Sequence, residues 1–186
     1  MFCFPASRAL LAVVAAVVTG AALLTGCSGE KEAAAPVLPD STCFGAFTPA
    51  DLAPLMGTGK EVQVDAPADV RLTADWKEAN CRILVDGQGR FSASASRKPA
   101  GLNMPFGPAI EKSNPEALPY AGNSRLWDSG AAVVLNCKGP TDSFDLDLFV
   151  NASVPATLKQ EDRRPTFAAL MKKFMDLAKQ QNQCGG

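Results

Sequence analysis

Hydrophobic and polar positions divide the chain into segments of different period. Residues 9–24 form a nearly continuous apolar run, Ala-Leu-Leu-Ala-Val-Val-Ala-Ala-Val-Val-Thr-Gly-Ala-Ala-Leu-Leu. Residues 28–42 show no apolar period and are dominated by Gly, Pro and small polar residues, which predicts a flexible stalk. From Phe47 to Met56 the spacing is helical. Thr48 is suited to the N-cap, Pro49 to the first helical position, and Asp51 stands three residues after the cap. Leu52, Leu55 and Met56 share one face; Pro54 keeps the helix short or kinked, and Gly57 and Gly59 end it.

A period of two follows. Val62–Val64 and Val70–Leu72 read as brief strands. Cys81–Val85 and Arg90–Ser96 flank Asp86-Gly87-Gln88-Gly89 and predict a hairpin, because Asp-Gly tolerates the positive φ of a tight turn. Between 97 and 123 the pattern breaks at Pro99, Pro105, Pro108, Pro115 and Pro119, predicting a long loop with at most a turn near Pro108–Lys112. Strands resume at Ser124–Trp127 and Ala131–Asn136. Phe144, Leu146, Leu148 and Val150 then alternate with Asp145, Asp147 and Phe149, which gives one buried and one wetter face. In Arg164–Gln181, Phe167, Leu170, Met171, Phe174, Leu177 and Ala178 recur at helical spacing. Lys172, Lys173 and Lys179 would form the wet side of that helix. The order predicts an α+β domain: an antiparallel sheet with helices packed on one face, in a pseudo-mirror αββ–ββα arrangement.

The apolar run changes meaning once its end is read. Leu24-Thr25-Gly26-Cys27 resembles the lipobox of bacterial lipoproteins, in which the leader is cut before a cysteine that carries a diacylglycerol. Arg8 is the single charge before that point, and the run is shorter than the ~20 residues that span a bilayer. The organisation expected is therefore a signal peptide over 1–26, a lipidated flexible tether over 27–42, and one extracytoplasmic domain over 43–186. Two acyl chains anchor stably without a second membrane element. Cys3 lies inside the leader.

Composition narrows the chemistry. The formal net charge is −1, so no basic face is offered to nucleic acid. Histidine is absent, which removes His-dependent triads, imidazole zinc sites and ordinary His acid–base catalysis. No enzyme, cofactor or metal is expected. Cys43, Cys81, Cys137 and Cys184 remain after Cys27, an even number without a C-x-x-C, and predict two disulfides in an oxidising compartment. Each half holds one cysteine beyond the outer end of a helix and one on a strand. Pairing within halves, Cys43–Cys81 and Cys137–Cys184, is preferred; Cys43–Cys184 with Cys81–Cys137 is the alternative.

Few residues suggest a binding site. Leu102, Met104, Phe106 and Tyr120 make the Pro-rich stretch unusually apolar and are the candidate binding edge, although packing over the sheet is the simpler account of them. Trp76 and Trp127, with Tyr120, could offer flat rings to a ligand, against the simpler account of core packing. Asp142, Asp145 and Asp147 could face a hard cation, but a solvated strand face opposite the core explains them better. Ser92, Ser94 and Ser96 have no activating base beside them and read as an exposed strand face.

The segment Cys43-Phe-Gly-Ala-Phe-Thr-Pro-Ala-Asp-Leu-Ala-Pro-Leu-Met-Gly, the Cys81 and Cys137 strands and the Cys-terminated last helix resemble a group of actinobacterial cell-envelope lipoproteins of unknown function. The resemblance implies fold and location and supplies no catalytic residues. The expectation is a membrane-anchored, non-catalytic binding or interaction module whose partner is an envelope protein or small envelope component. The alternative is a carrier of an apolar ligand or lipid between sheet and helices.

Overall fold

The first helix forms where its capping residues predict. A computed structural model describes residues 34–99, 106–137, 142–151, 157–182 and 184, all within one compact unit, Glu32–Gly186. Helix α1 spans Pro49–Met56. Thr48 Oγ1 accepts the Asp51 N–H at 3.4 Å and the Asp51 carboxylate accepts the Thr48 N–H at 2.9 Å, so two amides that lack helical partners are satisfied reciprocally. Pro54 stands within the helix, and Leu52, Leu55 and Met56 are buried.

The remaining elements are β1 (Val62–Asp65), β2 (Glu78–Val85), β3 (Gln88–Pro99), α2 (Pro108–Glu111), β4 (Ser124–Trp127), β5 (Gly130–Asn136), β6 (Asp142–Val150) and α3 (Arg163–Gln181). The six strands form one sheet in the order β1-β2-β3-β6-β5-β4, antiparallel throughout. Each half of the chain is thus a three-stranded meander, and the halves join where β3 pairs with β6. Asp86 (φ +52°) and Gly87 (φ +74°) make the β2–β3 turn, both left-handed as a two-residue hairpin requires.

This topology accounts for the Pro-rich stretch. β3 lies in the middle of the sheet and β4 at its edge, three strand positions or ~14 Å away. The chain must cross β6 and β5 to reach it. The described part carries α2 and then runs beside β4, where Glu116 and Leu126 exchange N–H···O bonds of 2.9 and 2.7 Å. That pairing also covers an edge strand. Leu118 then enters the core and the Tyr120 hydroxyl donates to the Ala168 carbonyl on α3.

Helices α1 and α3 cover one face of the sheet. Phe44 stacks on Phe174 at 5.7 Å between centroids, and Phe47 meets Phe91 edge-on at 5.6 Å. Ile83, Ala93, Val133, Leu146 and Leu148 form the sheet's contribution to the core and are almost fully buried. The small Ala93, Ala95 and Ala131 let the aromatic layer approach the sheet closely.

Both disulfides join residues within one half. Cys43–Cys81 ties the entrance of α1 to β2, with Cα atoms 5.2 Å apart, and Cys137–Cys184 ties the end of β5 to the chain beyond α3, at 4.5 Å. The crossed alternative is excluded.

Two expectations change. Val70–Leu72 is not a strand; the Val70 and Leu72 amides donate to Gln181 Oε1 and Asn182 Oδ1 at 2.7 Å each, so side chains at the end of α3 replace a sheet partner. Of the tether expected over 27–42, the described part touches the domain at three points while Ala35, Val37, Pro39 and Asp40 stay exposed: the Ala34 carbonyl accepts the Gly59 N–H, Leu38 joins the core, and Thr42 pairs with Phe47. Apolar Leu38 is buried because burial outweighs the weak local preference of a Pro-rich segment for solvent. Cys27 and the leader lie outside the described residues.

Candidate functional site: the open face of the sheet

Alternation along the strands sends every second side chain away from α1 and α3. On β3 these are Ser92, Ser94 and Ser96; on β6 they are Asp145, Asp147 and Phe149; on β4 they are Arg125 and Trp127. This second face is concave rather than flat. Two adjoining hollows lie on it, of about 390 and 270 Å³, and a third of about 230 Å³ lies beside the β4–β5 turn, against Gln160 and Arg163 at the start of α3. Phe149, 47% exposed, forms a wall common to the first two. Trp127, Ser113 and Ser129 are common to the second and third.

The first hollow is lined by Arg82, Leu84, Arg90, Ser92 and Phe149, so an apolar floor meets two guanidinium groups. Arg82 is exposed. Arg90 is buried, with Nη2 3.4 Å from the Thr58 carbonyl and Nε without a partner. The third hollow is polar. In it Asp128 accepts from Arg164 at 2.6 Å and from Gln160 at 2.8 Å, and these bonds, Arg164's first, hold its carboxyl below the usual range.

The middle hollow has the least ordinary chemistry. One-turn α2 roofs it with Ala109 and Ile110, and Trp127 and Phe149 provide aromatic walls. Gly130 makes room for the indole: a Cβ there would stand 2.7 Å from Trp127 Cζ2 and 2.3 Å from the Leu148 carbonyl oxygen. The Trp127 Nε1–H donates to Ser129 Oγ at 2.8 Å, which fixes the ring. Asp147 lies in this hollow on a central strand, paired in register with Ser94 and Ala132. Among the described residues its carboxyl accepts no hydrogen bond and forms no ion pair. Lys98 is committed to Asp145. Burial, with the charge of Asp145 beside it, pushes the Asp147 pKa up to about 6; Lys98 opposes them only weakly.

Asp147 is thus half-buried in a hollow on the sheet face that the strand pattern marks as the wetter one. No group of three or more potential metal ligands occurs among the described residues, so the cation-binding reading of Asp145 and Asp147 gains nothing; the Asp142 side chain lies outside the description.

Of the four residues of the expected binding edge, the structure places two, Phe106 and Tyr120, on opposite sides of the sheet. Leu102 and Met104 lie outside the described residues. Phe106 packs on the Arg125 guanidinium, 4.9 Å from ring centroid to Cζ, on the open-face side of β4. Tyr120 is bonded to α3, on the other side of the sheet. Trp76, 56% exposed, stands in the loop before β2. Sequence reasoning put Asp147 and Phe149 on one strand face by their i, i+2 spacing but did not single out the pair as site residues.

The chain matches no family profile, no curated protein and no solved structure. Fold and site therefore stand on their own geometry. Among the described residues no helix is long and apolar enough to cross a membrane, and the two disulfides suit an extracytoplasmic compartment.

Proposed function

We propose that the chain is a lipid-anchored, extracytoplasmic, non-catalytic binding module that holds a small envelope component on the open face of its sheet. The observation that carries this reading is the pair of adjoining hollows on that face, with a half-exposed phenylalanine between them. Ligand sites are concave and mostly apolar, with a few placed polar groups. The opposite side favours the carrier reading less. Phe47, Phe167, Phe174 and Met171 fill the space between sheet and helices and are fully buried.

Anchoring through Cys27 rests on the lipobox-like Leu24-Thr25-Gly26-Cys27 and on the resemblance to cell-envelope lipoproteins. The absence of histidine supports a non-catalytic role. Asp51, Asp128 and Asp145 are each engaged by a basic side chain, which leaves Asp147 as a lone carboxyl in its hollow with no second unpaired acid beside it.

A photoreactive side chain at position 149 tests the binding surface in intact cells. It should give a discrete adduct that is not formed from position 172, which is exposed on α3 away from the sheet. Equal labelling from both positions, or none from 149, rejects the open face as the site. Cys27→Ser should release the protein from the membrane fraction; its retention there rejects the lipid anchor.

A further inference from the structure

The middle hollow holds a carboxyl group that no basic side chain among the described residues bonds. Asp147 stands on β6, the strand that joins the two halves of the sheet, beneath α2 and beside Trp127 and Phe149. Charged groups around it are already used. Lys98 on β3 pairs with Asp145. Arg125 on β4 pairs with Glu111 on α2 at 2.9 Å. On the far side of Trp127, Asp128 pairs with Arg164. What remains is one acidic oxygen pair, two aromatic rings and about 270 Å³ of space.

These three features suit one kind of guest. An ammonium group supplies the missing charge, and aromatic faces attract cations through their quadrupoles. The alkyl body of such a guest would lie against Ala109 and Ile110. A neutral guest leaves the carboxyl uncompensated, and an anion is repelled by Asp147 and Asp145 together.

We infer that the hollow formed by Asp147, Trp127 and Phe149 is a binding site for a small organic ammonium ion with a short alkyl body. This rests on the open face being the binding surface and names the chemical class of its ligand. Binding requires the ionised carboxylate, so affinity falls as acidity protonates it. With Asp147 titrating at about 6, the ionised fraction drops about tenfold between about pH 7.5 and about pH 5. The facing groups that modulate this titration are Asp145 and Lys98.

The test uses n-butylammonium chloride as the probe, with n-butanol and sodium butyrate as its neutral and anionic counterparts, on the folded disulfide-bonded domain. The readout is the Trp127 indole N–H resonance. Butylammonium should shift it saturably, butanol and butyrate should not, and the apparent affinity should fall about tenfold on going from about pH 7.5 to about pH 5. Asp147→Asn, nearly isosteric, should abolish the preference for butylammonium over butanol. Phe149→Leu, at a half-exposed position, should weaken binding several-fold while the fold persists. No saturable shift with butylammonium overturns the assignment, and so does an unchanged preference in Asp147→Asn. If position 149 still forms its adduct in cells after such a result, the ammonium assignment alone falls. N-acetyl-lysine methylamide in place of butylammonium separates a free amine from a peptide side chain: binding by the small amine alone supports the inference, and binding by the peptide mimic alone overturns it.

Discussion

Asp147 has an energetic signature opposite to that of the other shifted aspartates. Its folded pKa of about 6 lies above its ordinary value of 3.8, so the native state holds the proton more tightly than the unfolded chain does. Stability attributable to this group is then highest in acid and falls as pH rises between the two values. Asp147→Asn removes that penalty and should raise stability near neutral pH by about 1–3 kcal/mol, with the gain vanishing below about pH 4. Urea unfolding of both proteins at several pH values reads this directly; a destabilised Asn variant at neutrality would contradict a half-buried carboxyl without a bonded partner. Asp51, Asp86 and Asp128 act in the other direction. Burial raises the Asp51 pKa, but Lys173 and Thr48 outweigh it and hold it below the ordinary value. The Glu61 and Lys60 amides hold Asp86 low, and Arg164 and Gln160 hold Asp128 low. Stability from these three is present above the ordinary carboxylate pKa and is lost as acid protonates them. The stability maximum should therefore lie on the acid side of neutrality. Gly130 is the other residue on which the hollow depends. Gly130→Ala drives a methyl into the Leu148 carbonyl and the Trp127 ring, and overpacking of this kind costs about 1–3 kcal/mol. The Trp127 indole resonance should move in that variant. The cysteines were legible from count and position alone. The partial burial of Asp147 was not, because alternation assigns a side chain to a face and does not say what covers that face. Here the cover, α2, comes from a stretch whose prolines hide its destination.

Elements with a complete local signal were readable. α1 carries a cap, a first-turn proline and an acidic third residue; the β2–β3 hairpin carries Asp-Gly; α3 carries an apolar stripe over 19 residues. Each signal acts within a few residues of the backbone it stabilises, so sequence neighbours suffice to find it. Val70–Leu72 shows the limit. Two branched or apolar residues with extended preference form a strand only if a sheet edge is free, and here the amides are taken by Gln181 and Asn182 over a hundred residues away. The register of β3 against β6 was likewise invisible, since it depends on which meander edges meet. Because α1 is short and contains Pro54, its cap matters more than it would in a long helix. Thr48→Ala should cost about 1 kcal/mol, measured by chemical denaturation. Lys173, whose Nζ lies 2.7 Å from Asp51 Oδ1, links that cap to α3. An exposed pair of this kind contributes about 0–1 kcal/mol, so Lys173→Ala should destabilise less than Thr48→Ala does.

At the scale of the whole molecule, each half of the sheet is tied to its own helix, and the two ties secure different things. Cys137–Cys184 spans 47 positions and holds the chain beyond α3, where Gln181 and Asn182 already grip residues 70–72. Cys43–Cys81 spans 38 positions and holds a loop in which Cys43 and Phe44 adopt φ of +47° and +65°. Non-glycine residues pay for such angles, and neighbouring structure must over-determine them. The Thr42–Phe47 pair and the disulfide are what flank that loop. Loop closure alone assigns each bond about 4 kcal/mol of constraint on the unfolded chain. Removing the first bond also frees a strained loop to relax, which offsets part of its loss locally but detaches Phe44 from its stack on Phe174. Removing the second leaves the end of α3 held by its side-chain bonds. The paired variant Cys43→Ser/Cys81→Ser should therefore unsettle the α1 side of the core more than Cys137→Ser/Cys184→Ser unsettles α3. Amide exchange resolves the two: protection should drop across 42–56 in the first variant, while residues 163–178 keep theirs in the second. Domains of this size are stable by only about 5–15 kcal/mol, so loss of both bonds should leave the chain largely unfolded. A quadruple variant that retains a cooperative unfolding transition of unchanged midpoint would show that the packed aromatic layer, and not the two cross-links, sustains the fold.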